Sequence, residues 1–326
     1  MKSNSPFRRT GLPTVLASLL FAASPGAWAL EIAVTNDDGW DSIGIQAVKR
    51  ALVAAGHTVT LVAPLDGQSG SSAAINTSGL LITKQREDGG VPEFSVAVGN
   101  GAEGAEPATS ALVAINIAQQ RSGRLPDLLV SGINDGANIG AFTQISGTVG
   151  AAVVGLSSAF NAAVPAIAIS TDAVCDEDTV ECAAANEAHF AQVAEFLTGV
   201  IAHLERKPGI LKREPGLLPA GVGLNINYPP VAVPAGVALS DQGRTASIGG
   251  ATLTLGIGCY GPCAALPVGG SLPGGITGVS PDGTPERRGA DTTAFQQGYI
   301  TIVPITPDYT AAPSARFNSV FKTLRF

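Results

Sequence analysis

The sequence predicts an α/β protein with a doubly wound, mostly parallel, Rossmann-like sheet and a β-hairpin arm in its C-terminal half. Short apolar segments rich in β-branched residues alternate with segments of helical periodicity from residue 31 onwards, which is typical of a parallel sheet covered by helices. Three of the apolar segments run directly into polar, glycine-rich loops, as parallel strands do at the ligand-binding edge of such a sheet. Glycine, proline and short β segments dominate residues 231–289, which indicates the arm.

Length and composition indicate one large folded unit. The chain has 326 residues, of which 45% are hydrophobic and 14% are charged. This is enough for a full hydrophobic core and does not indicate disorder. We expect a single domain over residues 30–326, with its core at about 30–230 and 290–306 and a hairpin or oligomerisation arm at about 231–289.

The first 29 residues have the pattern of a secretory signal peptide. Three basic residues precede an uncharged stretch at 12–23, and Ala27-Trp28-Ala29 is a small-x-small cleavage pattern. A membrane anchor is the alternative, but the stretch is shorter than the roughly 20 residues that a span needs. We therefore expect a secreted, periplasmic protein with no membrane partner. The Arg8-Arg9 pair leaves both the general and the twin-arginine export routes open.

Buried strands are predicted where β-branched and aliphatic residues run together between turn residues. Residues 32–35 are the first of these, and residues 80–84 and 94–98 are interpreted as an antiparallel excursion from the sheet. The predicted strands are 32–35, 58–63, 80–84, 94–98, 127–131, 166–170, 251–257 and 299–304.

Helices are predicted where apolar residues recur at a spacing of three and four. They cover residues 43–55, 108–120, 148–160 and 183–204, and the last is the most regular. His189 and His203 lie on that helix and are interpreted as ordinary helix residues.

Side chains with oxygen atoms follow three of the predicted strands. Asp37 and Asp38 follow the first, Ser69 lies in the loop after the second, and Asn134 follows strand 127–131. If these strands are parallel neighbours, their loops meet at one edge of the sheet. Carboxylate, hydroxyl and amide oxygens favour one hard divalent cation, Mg²⁺ or Mn²⁺, over zinc or copper. Taken alone, Asn-Asp-Asp-Gly is also a good ordinary turn.

The tripeptide Ser146-Gly147-Thr148 stands directly before a predicted helix. Free backbone N–H groups at the amino end of a helix bind anions, so a phosphate group would fit beside the predicted metal. The alternative is an ordinary Ser or Thr N-cap, which is the commoner role of these residues.

A competing motif is Gly99-Asn-Gly101-Ala-Glu-Gly104, which matches the dinucleotide fingerprint G-x-G-x-x-G and makes a dinucleotide-dependent oxidoreductase one alternative. The fingerprint also requires an acidic residue at the end of the next strand. That strand ends at Ser131 without a carboxylate. A serine hydrolase is disfavoured because no Gly-x-Ser-x-Gly sequence occurs.

The charge balance argues against a protein that coats duplex nucleic acid. The formal net charge is −7, and removal of the three basic residues of the signal peptide would make it −10. Binding to a duplex depends on many phosphate contacts from Lys and Arg. The protein must therefore bind small anions at individual sites and not through an overall positive charge.

The cysteines predict two local disulfides. The four cysteines occur as two close pairs in the second half of the chain, and an even number in an oxidising compartment is typical of disulfides. We expect Cys175 to pair with Cys182 and Cys259 with Cys263. A zinc site is the alternative, but the chain has no Cys-x-x-Cys sequence.

Four motifs occur in order along the chain. They are Val34-Thr35-Asn36-Asp37-Asp38-Gly39, Val62-Ala63-Pro64 with Gln68-Ser69-Gly70-Ser71-Ser72, residues 130–140 (VSGINDGANIG), and Ser146-Gly147-Thr148-Val149-Gly150-Ala151-Ala152. Together they resemble the SurE family of survival-protein nucleotidases. The match continues through Asn225-Ile226-Asn227-Tyr228-Pro229 and Asp291 to Thr301, so it covers most of residues 31–306.

This resemblance implies a metal-dependent phosphomonoesterase that hydrolyses nucleoside 5′- and 3′-monophosphates. It also implies homodimers or homotetramers built partly by exchange of the hairpin and C-terminal segments. The implied metal ligands are Asp37, Asp38, Ser69 and Asn134. The residues expected to contact phosphate are Asn36, Asn138, Ser146, Gly147 and Thr148.

The chain also departs from the usual family pattern. Ile145 stands where the family usually has Tyr, and residues 105–110 differ from the usual Gly-Thr-Pro-Ala-Asp-Cys. The signal peptide and the cysteines are also unlike the usual cytoplasmic member. These changes leave the expected metal ligands in place and leave the substrate preference open.

We expect Asp37, Asp38 and Asn36 to be the catalytic residues, with a metal-activated water as the nucleophile. A covalent phosphoenzyme on Asp37 or Asp38 is the mechanistic alternative. A periplasmic protein that binds phosphate esters without turnover is the alternative from another class. Its expected mark would be loss of a metal ligand, and no ligand position is lost here.

Overall fold

The structure is a computed structural model that describes residues 29–160, 162–206, 217–248, 251–259, 274–279 and 286–310. Residues 1–28 of the predicted signal peptide lie outside these ranges, as does Cys263 of the second predicted disulfide. In the described part, no helix combines the length and the hydropathy that a membrane crossing requires.

The described residues form thirteen strands and five α-helices. The strands are β1 (Glu31–Thr35), β2 (Thr58–Pro64), β3 (Leu81–Asp88), β4 (Val91–Val98), β5 (Glu103–Gly104), β6 (Leu128–Asp135), β7 (Ala166–Thr171), β8 (Gly223–Tyr228), β9 (Gly236–Leu239), β10 (Ala246–Ile248), β11 (Ala251–Cys259), β12 (Gly274–Val279) and β13 (Tyr299–Ile305). The helices are α1 (Ile43–Ala54), α2 (Pro107–Ser122), α3 (Gly147–Gly155), α4 (Val180–Arg206) and α5 (Asp291–Gln296), with 3₁₀ turns at Gly140–Gln144 and Ser158–Phe160.

Ten strands form one sheet in the order β3-β4-β2-β1-β6-β7-β8-β13-β9, with β5 paired to β4. Six consecutive strands of this sheet, β4-β2-β1-β6-β7-β8, are parallel to one another. This is the strand order of a Rossmann-type sheet, in which the chain builds one half outward from β1 and then starts the other half at β6. The predicted doubly wound, mostly parallel sheet is therefore confirmed.

Helices cover both faces of the sheet. The apolar side chains of α1 and α4, including Ile45 and Phe190, pack on one face. Those of α2 and α3, including Ile115 and Val149, pack on the other. The parallel strands are buried on both faces, which explains why they appear in the sequence as continuous apolar runs.

The predicted excursion and one predicted helix differ from the structure. β4 pairs antiparallel with β3, as predicted, but it is also a parallel neighbour of β2 and so belongs to the central sheet. The helix predicted over 148–160 ends at Gly155, because the Gly155 carbonyl accepts the N–H of Val164 and turns the chain towards β7. The structure also contains β8 and α5, which were not predicted.

Strands β10, β11 and β12 form a separate three-stranded antiparallel sheet within the predicted arm. β11 pairs with β10 on one side and with β12 on the other. The predicted arm is thus divided: β10, β11 and β12 lie outside the main sheet, whereas β9, which is also within residues 231–289, joins the main sheet beside β13.

Candidate active site

The first carboxylate of the site is Asp37, which follows β1. Its side chain is buried and accepts a hydrogen bond of 2.5 Å from the Thr148 hydroxyl in the first turn of α3. Burial raises the pKa of Asp37, and the hydrogen bonds from Thr148 and from nearby backbone N–H groups oppose that shift. The first turn of α3 therefore supplies a hydrogen-bond donor to a carboxylate that has little contact with solvent.

The second carboxylate, Asp38, joins β1 to β6. Its Oδ2 atom accepts the backbone N–H of Asp135 at 3.0 Å. Burial, followed by the negative charge of Asp37, raises the pKa of Asp38 to about 7. This places the pair where β1 meets β6, the point at which an open doubly wound sheet binds ligands.

In the part of the chain that the structure describes, no cationic side chain forms an ion pair with either of these two carboxylates. Among the described residues, every Lys and Arg ion pair lies elsewhere in the molecule. Asp37 is buried, its neighbour Asp38 is half-buried, and the negative charge of Asp37 disfavours the ionised form of Asp38. A bound cation would remove this conflict.

The surrounding atoms suit a hard divalent cation. Asn134 is buried, and its Nδ2 donates to the Gly136 carbonyl at 2.7 Å, so that its Oδ1 remains an available acceptor. Within the described ranges, no cluster of three or more His, Cys, Asp or Glu side chains could hold a metal. A metal on Asp37 and Asp38 would therefore need neutral oxygens such as those of Asn134 and Ser69, a donor set that fits Mg²⁺ or Mn²⁺.

The loop that carries Ser69 is held between β1 and α3. Gln68 donates its backbone N–H to the Asp37 carbonyl at 2.7 Å, and Ser72 donates its own to the Ile145 carbonyl at 3.1 Å. Gly150 allows this approach, since a Cβ atom there would lie 1.9 Å from the Ser72 carbonyl oxygen. The Ser69 side chain is exposed and forms no hydrogen bond with described residues.

Asn36 organises the turn that holds the carboxylates. Its side-chain N–H₂ group donates to the Gly39 carbonyl at 2.9 Å and to the Ser42 hydroxyl at 2.7 Å. Its Oδ1 atom is buried and has no hydrogen-bond partner in the described part of the chain. The amide therefore shapes the loop after β1, and its expected contact with phosphate remains a prediction.

The amino end of α3 faces Asp37. Ser146 is the N-cap and accepts the Val149 N–H at 3.1 Å, which is the ordinary role weighed for it above. Gly147 is needed for the close approach, because a Cβ atom there would lie 3.0 Å from the Cβ of Asp37. The structure therefore brings the predicted phosphate turn and the predicted metal carboxylates together.

Asn138 belongs to a buried polar network next to Thr148. Its Nδ2 donates to the Ser170 hydroxyl at 2.9 Å and to the Thr148 hydroxyl at 3.4 Å. Its backbone carbonyl accepts from Asn225, and its backbone N–H donates to Asn227. Asn138 thus bonds directly to Thr148, the residue whose hydroxyl donates to Asp37.

Sequence reasoning missed two parts of this framework. Asn225 and Asn227 alternate with apolar residues on β8, a signal that could have indicated a buried polar row. Asp291 is fully buried and accepts the backbone N–H groups of Gly140, Gly243 and Thr292. No local pattern indicates that contact, because it joins segments that are distant in the sequence.

The dinucleotide fingerprint does not form a phosphate-binding loop here. Gly104 donates its N–H to the Asp66 carboxylate at 2.9 Å, and a Cβ atom at Gly104 would lie 2.5 Å from the same oxygen. The third glycine thus lies in β5 against Asp66, and α2 begins only at Pro107, so this segment lacks the direct turn from strand to helix that the fingerprint requires. Away from the site, Cys175 and Cys182 form a disulfide with their Cα atoms 5.8 Å apart.

Comparisons with known proteins agree on one family. The family model described as survival protein SurE matches residues 32–248. The chain is 31% identical to the 5′-nucleotidase SurE of Nitratidesulfovibrio vulgaris, over 86% of this chain and 95% of that protein. It is 30% identical to the 5′-nucleotidase SurE of Actinobacillus pleuropneumoniae, over 86% of this chain and 96% of that protein.

A solved structure supports the same fold. The SurE protein from Aquifex aeolicus superposes with a TM-score of 0.61 at 24% identity, over 90% of this chain and 97% of that chain. The structural match shows the fold, and the family model and the sequence relatives show that the chain belongs to the survival protein SurE family.

Proposed function

We propose that this protein is a metal-dependent phosphomonoesterase that hydrolyses nucleoside 5′- and 3′-monophosphates. The relatives named as 5′-nucleotidases support nucleotide phosphate as the substrate. The observation that carries the proposal is the adjacent pair of buried Asp37 and half-buried Asp38, which has no cationic partner among the described residues and meets the amino end of α3 through Asp37.

The metal would be held by Asp37, Asp38, Ser69 and Asn134. When bound, a divalent cation supplies Lewis acidity that polarises a phosphoryl oxygen and acidifies water. Thr148 orients the Asp37 carboxylate, and the backbone of Asp135 orients that of Asp38. Both carboxylates are engaged in this way, which favours water over a carboxylate as the nucleophile.

The phosphate would lie at the start of α3, close to Gly147 and Thr148. Backbone N–H groups at a helix amino end stabilise charge on phosphoryl oxygens. Asn138 supports this turn through Thr148. Asn36 supports it from the other side by fixing the loop that carries the carboxylates.

The direct test is phosphate release from a panel of nucleoside 5′- and 3′-monophosphates, with the protein treated with chelator and then reloaded with Mg²⁺ or Mn²⁺. We expect activity that is lost with chelator and restored by metal. Turnover that ignores the chelator would contradict the metal-dependent mechanism. Binding of nucleotide without turnover under all of these conditions would support the binding-protein alternative.

We also propose that the protein is exported to the periplasm and assembles as a homodimer or homotetramer. The N-terminal pattern described above and the Cys175–Cys182 disulfide support export, because disulfides persist in oxidising compartments. Mass spectrometry of exported protein should find Leu30 as the first residue, and light scattering should give two or four chains. A mature protein that retains Met1 would contradict export with cleavage.

A further inference from the structure

A small polar cleft next to the candidate phosphate turn carries two arginines. The cleft has a volume of about 320 Å³ and is lined by Ala141, Gln144, Gln242, Gly243, Arg244 and Arg287. Arg244 and Arg287 are exposed, and their guanidinium groups form no hydrogen bond or ion pair with described residues. In a protein with a net charge of −7, two unpaired cations in one cleft form a local site for an anion.

The backbone beneath the two arginines is held by Glu286. Its carboxylate accepts the backbone N–H groups of Arg244 at 2.9 Å and of Arg287 at 2.6 Å. It also accepts the backbone N–H and the hydroxyl of Thr245, at 3.0 Å and 2.6 Å, and the hydroxyl of Thr292 at 2.9 Å. Backbone and hydroxyl donors thus occupy this carboxylate, while the two guanidinium groups have no partner among the described residues.

The cleft is anchored to the candidate active site. Asp291 accepts N–H groups from Gly243 in the cleft wall and from Gly140 at the start of the loop that leads to Ser146. Gln144 lines the cleft and lies two residues before Ser146, a backbone span of about 7 Å at most. The Gln144 carbonyl also accepts the hydroxyl of Ser72, from the loop that carries Ser69.

Another cleft near the site has the opposite charge. It has a volume of about 800 Å³, and Asp135, Asp172 and Asp176 are among its lining residues. A phosphate group would be repelled there. Because guanidinium groups bind phosphate with two parallel hydrogen bonds, the arginine cleft is the favourable location for an additional phosphate.

We propose that Arg244 and Arg287 form a second phosphate site, which binds the phosphate group that is not hydrolysed in a nucleotide with two phosphates. The inference rests on the proposed nucleotidase function and deepens it, since it names nucleotides with two phosphate groups as preferred substrates. The remote phosphate contributes binding energy, while the phosphate at Thr148 is the one that reacts.

The test compares adenosine 5′-monophosphate with adenosine 3′,5′-bisphosphate in the wild type and in the Arg244→Gln/Arg287→Gln double variant. Loss of charge-assisted hydrogen bonds should raise the KM for the bisphosphate by roughly tenfold or more in the double variant. The KM for the monophosphate should stay within about twofold, because that substrate has no second phosphate to contact the arginines. Arg288→Gln is the matched control, since Arg288 is exposed next to Arg287 but does not line the cleft.

An equal effect of the double variant on both substrates, or an equal effect of Arg288→Gln, would overturn the proposal and indicate a general charge effect. Adenosine 5′-diphosphate forms a third arm. If the double variant raises the KM for adenosine 5′-diphosphate as much as the KM for the bisphosphate, the cleft also accepts a phosphate that is linked through an anhydride.

A protein that hydrolyses none of these nucleotides would contradict the proposed function but would still allow this inference to be tested. Calorimetric titration of the chelator-treated protein with adenosine 3′,5′-bisphosphate should then show weaker binding to the double variant than to the wild type. Equal binding to both would overturn the second phosphate site.

Discussion

Thr148 Oγ1 lies 2.5 Å from Oδ1 of Asp37, although the two residues are 111 positions apart in the chain. The contact joins the end of β1 to the first turn of α3, and therefore joins the proposed metal site to the proposed phosphate site. Because the hydrogen bond from Thr148 lowers the pKa of Asp37 against the effect of burial, it helps to keep this carboxylate ionised and able to bind a metal.

Replacing Thr148 with Val should therefore weaken metal binding. A hydrogen bond to a charged group is worth about 1.5–3 kcal/mol, which corresponds to a loss of metal affinity of roughly 10- to 100-fold. Calorimetric titration with Mn²⁺ measures this directly. Thr148→Ser keeps the hydroxyl and should bind close to normally. Equal losses in the two variants would mean that packing of the methyl group, and not the hydrogen bond, is responsible.

The variants Asp37→Asn, Asp38→Asn and Asn134→Ala should each abolish nucleotide hydrolysis while the fold stays intact. Each removes a proposed metal ligand, and the amide substitutions keep the size of the side chain while removing its charge. Every increase of ~1.4 kcal/mol in the activation free energy lowers the rate tenfold, so we expect rate losses above about 100-fold. Ser69→Ala should be milder, because water can replace a neutral hydroxyl. Near-normal turnover of either aspartate variant, with an unchanged circular dichroism spectrum, would refute the assignment.

The stability of the chelator-treated protein should fall as the pH rises from about 4 to about 7. The pKa of Asp38 is raised from 3.8 to about 7 by burial and by Asp37. In this range the folded state retains a proton that the unfolded state has released, so folding is favoured at low pH and disfavoured at high pH.

Asp38→Asn should reduce this pH dependence and raise the Tm of the chelator-treated protein at pH 8, even though it abolishes activity. Thermal unfolding at pH 5 and pH 8 measures both effects, and exposed Glu195→Gln on α4 is the control. Saturating metal should remove the higher Tm of Asp38→Asn relative to the wild type at pH 8. A parallel fall of Tm in the wild type and in Asp38→Asn would show that other groups dominate.

Buried Glu93 should be important for stability. Its carboxylate is fully buried and accepts hydrogen bonds from Lys49 at 2.5 Å and from Arg86 at 2.7 Å. Arg86 also stacks 4.4 Å above the Trp40 ring and donates to Asp41 at 2.6 Å. The network therefore supports the loop that immediately follows Asp37 and Asp38.

Glu93→Gln should lower the free energy of unfolding by about 3 kcal/mol, because it leaves the buried Lys49 without a full counter-charge. The remaining contact of Lys49 with exposed Asp88 limits the loss. Glu187→Gln is the control. It removes an exposed pair with Arg50 at 3.9 Å and should cost less than about 1 kcal/mol. Urea denaturation measures the free energy of unfolding of both variants. Similar losses in Glu93→Gln and Glu187→Gln would contradict the view that the buried pair matters more than the exposed one.

Removal of the Cys175–Cys182 disulfide by a double Ser substitution should lower the free energy of unfolding by about 2–3 kcal/mol in the chain-entropy model. Asn186 partly secures the same loop, since its side chain bonds the backbone N–H groups of Val174 and Cys175 and the carbonyl of Cys175. Urea denaturation with and without reductant provides the comparison. Reductant should destabilise the wild type and should act less on the double variant.

The central half of the fold was predictable because local patterns dominate there. β1, β2 and β6 are short apolar runs followed by polar loops, and their adjacency follows from the general topology of parallel sheets. Asp37, Asp38 and Thr148 come together for that reason. In contrast, the sequence around β4 does not show that this strand lies beside β2, because the same apolar pattern fits an antiparallel hairpin.

The supporting parts of the site were less predictable because they depend on long-range contacts. Asn225 and Asn227 alternate with apolar residues in the sequence, but nothing there shows that both contact Asn138. The hydrogen bond from the Asp135 backbone to Asp38 uses an N–H group that every residue except proline has, so the residue type at position 135 does not predict this contact. The hydrogen bonds of Asn36 within the turn likewise depend on where its amide points, and its expected contact with phosphate stays a prediction.

The contact of Asp291 with Gly140 spans 151 positions in the chain. At synthesis rates of about 5–20 residues per second, the loop before α3 emerges on the order of ten seconds before its anchor exists. A growing chain can therefore assemble the parallel strands around Asp37 long before that loop is secured. A fragment that ends before Asp291 would therefore carry every proposed metal ligand and still lack the contact that holds Gly140, at the start of the loop that leads to the proposed phosphate turn.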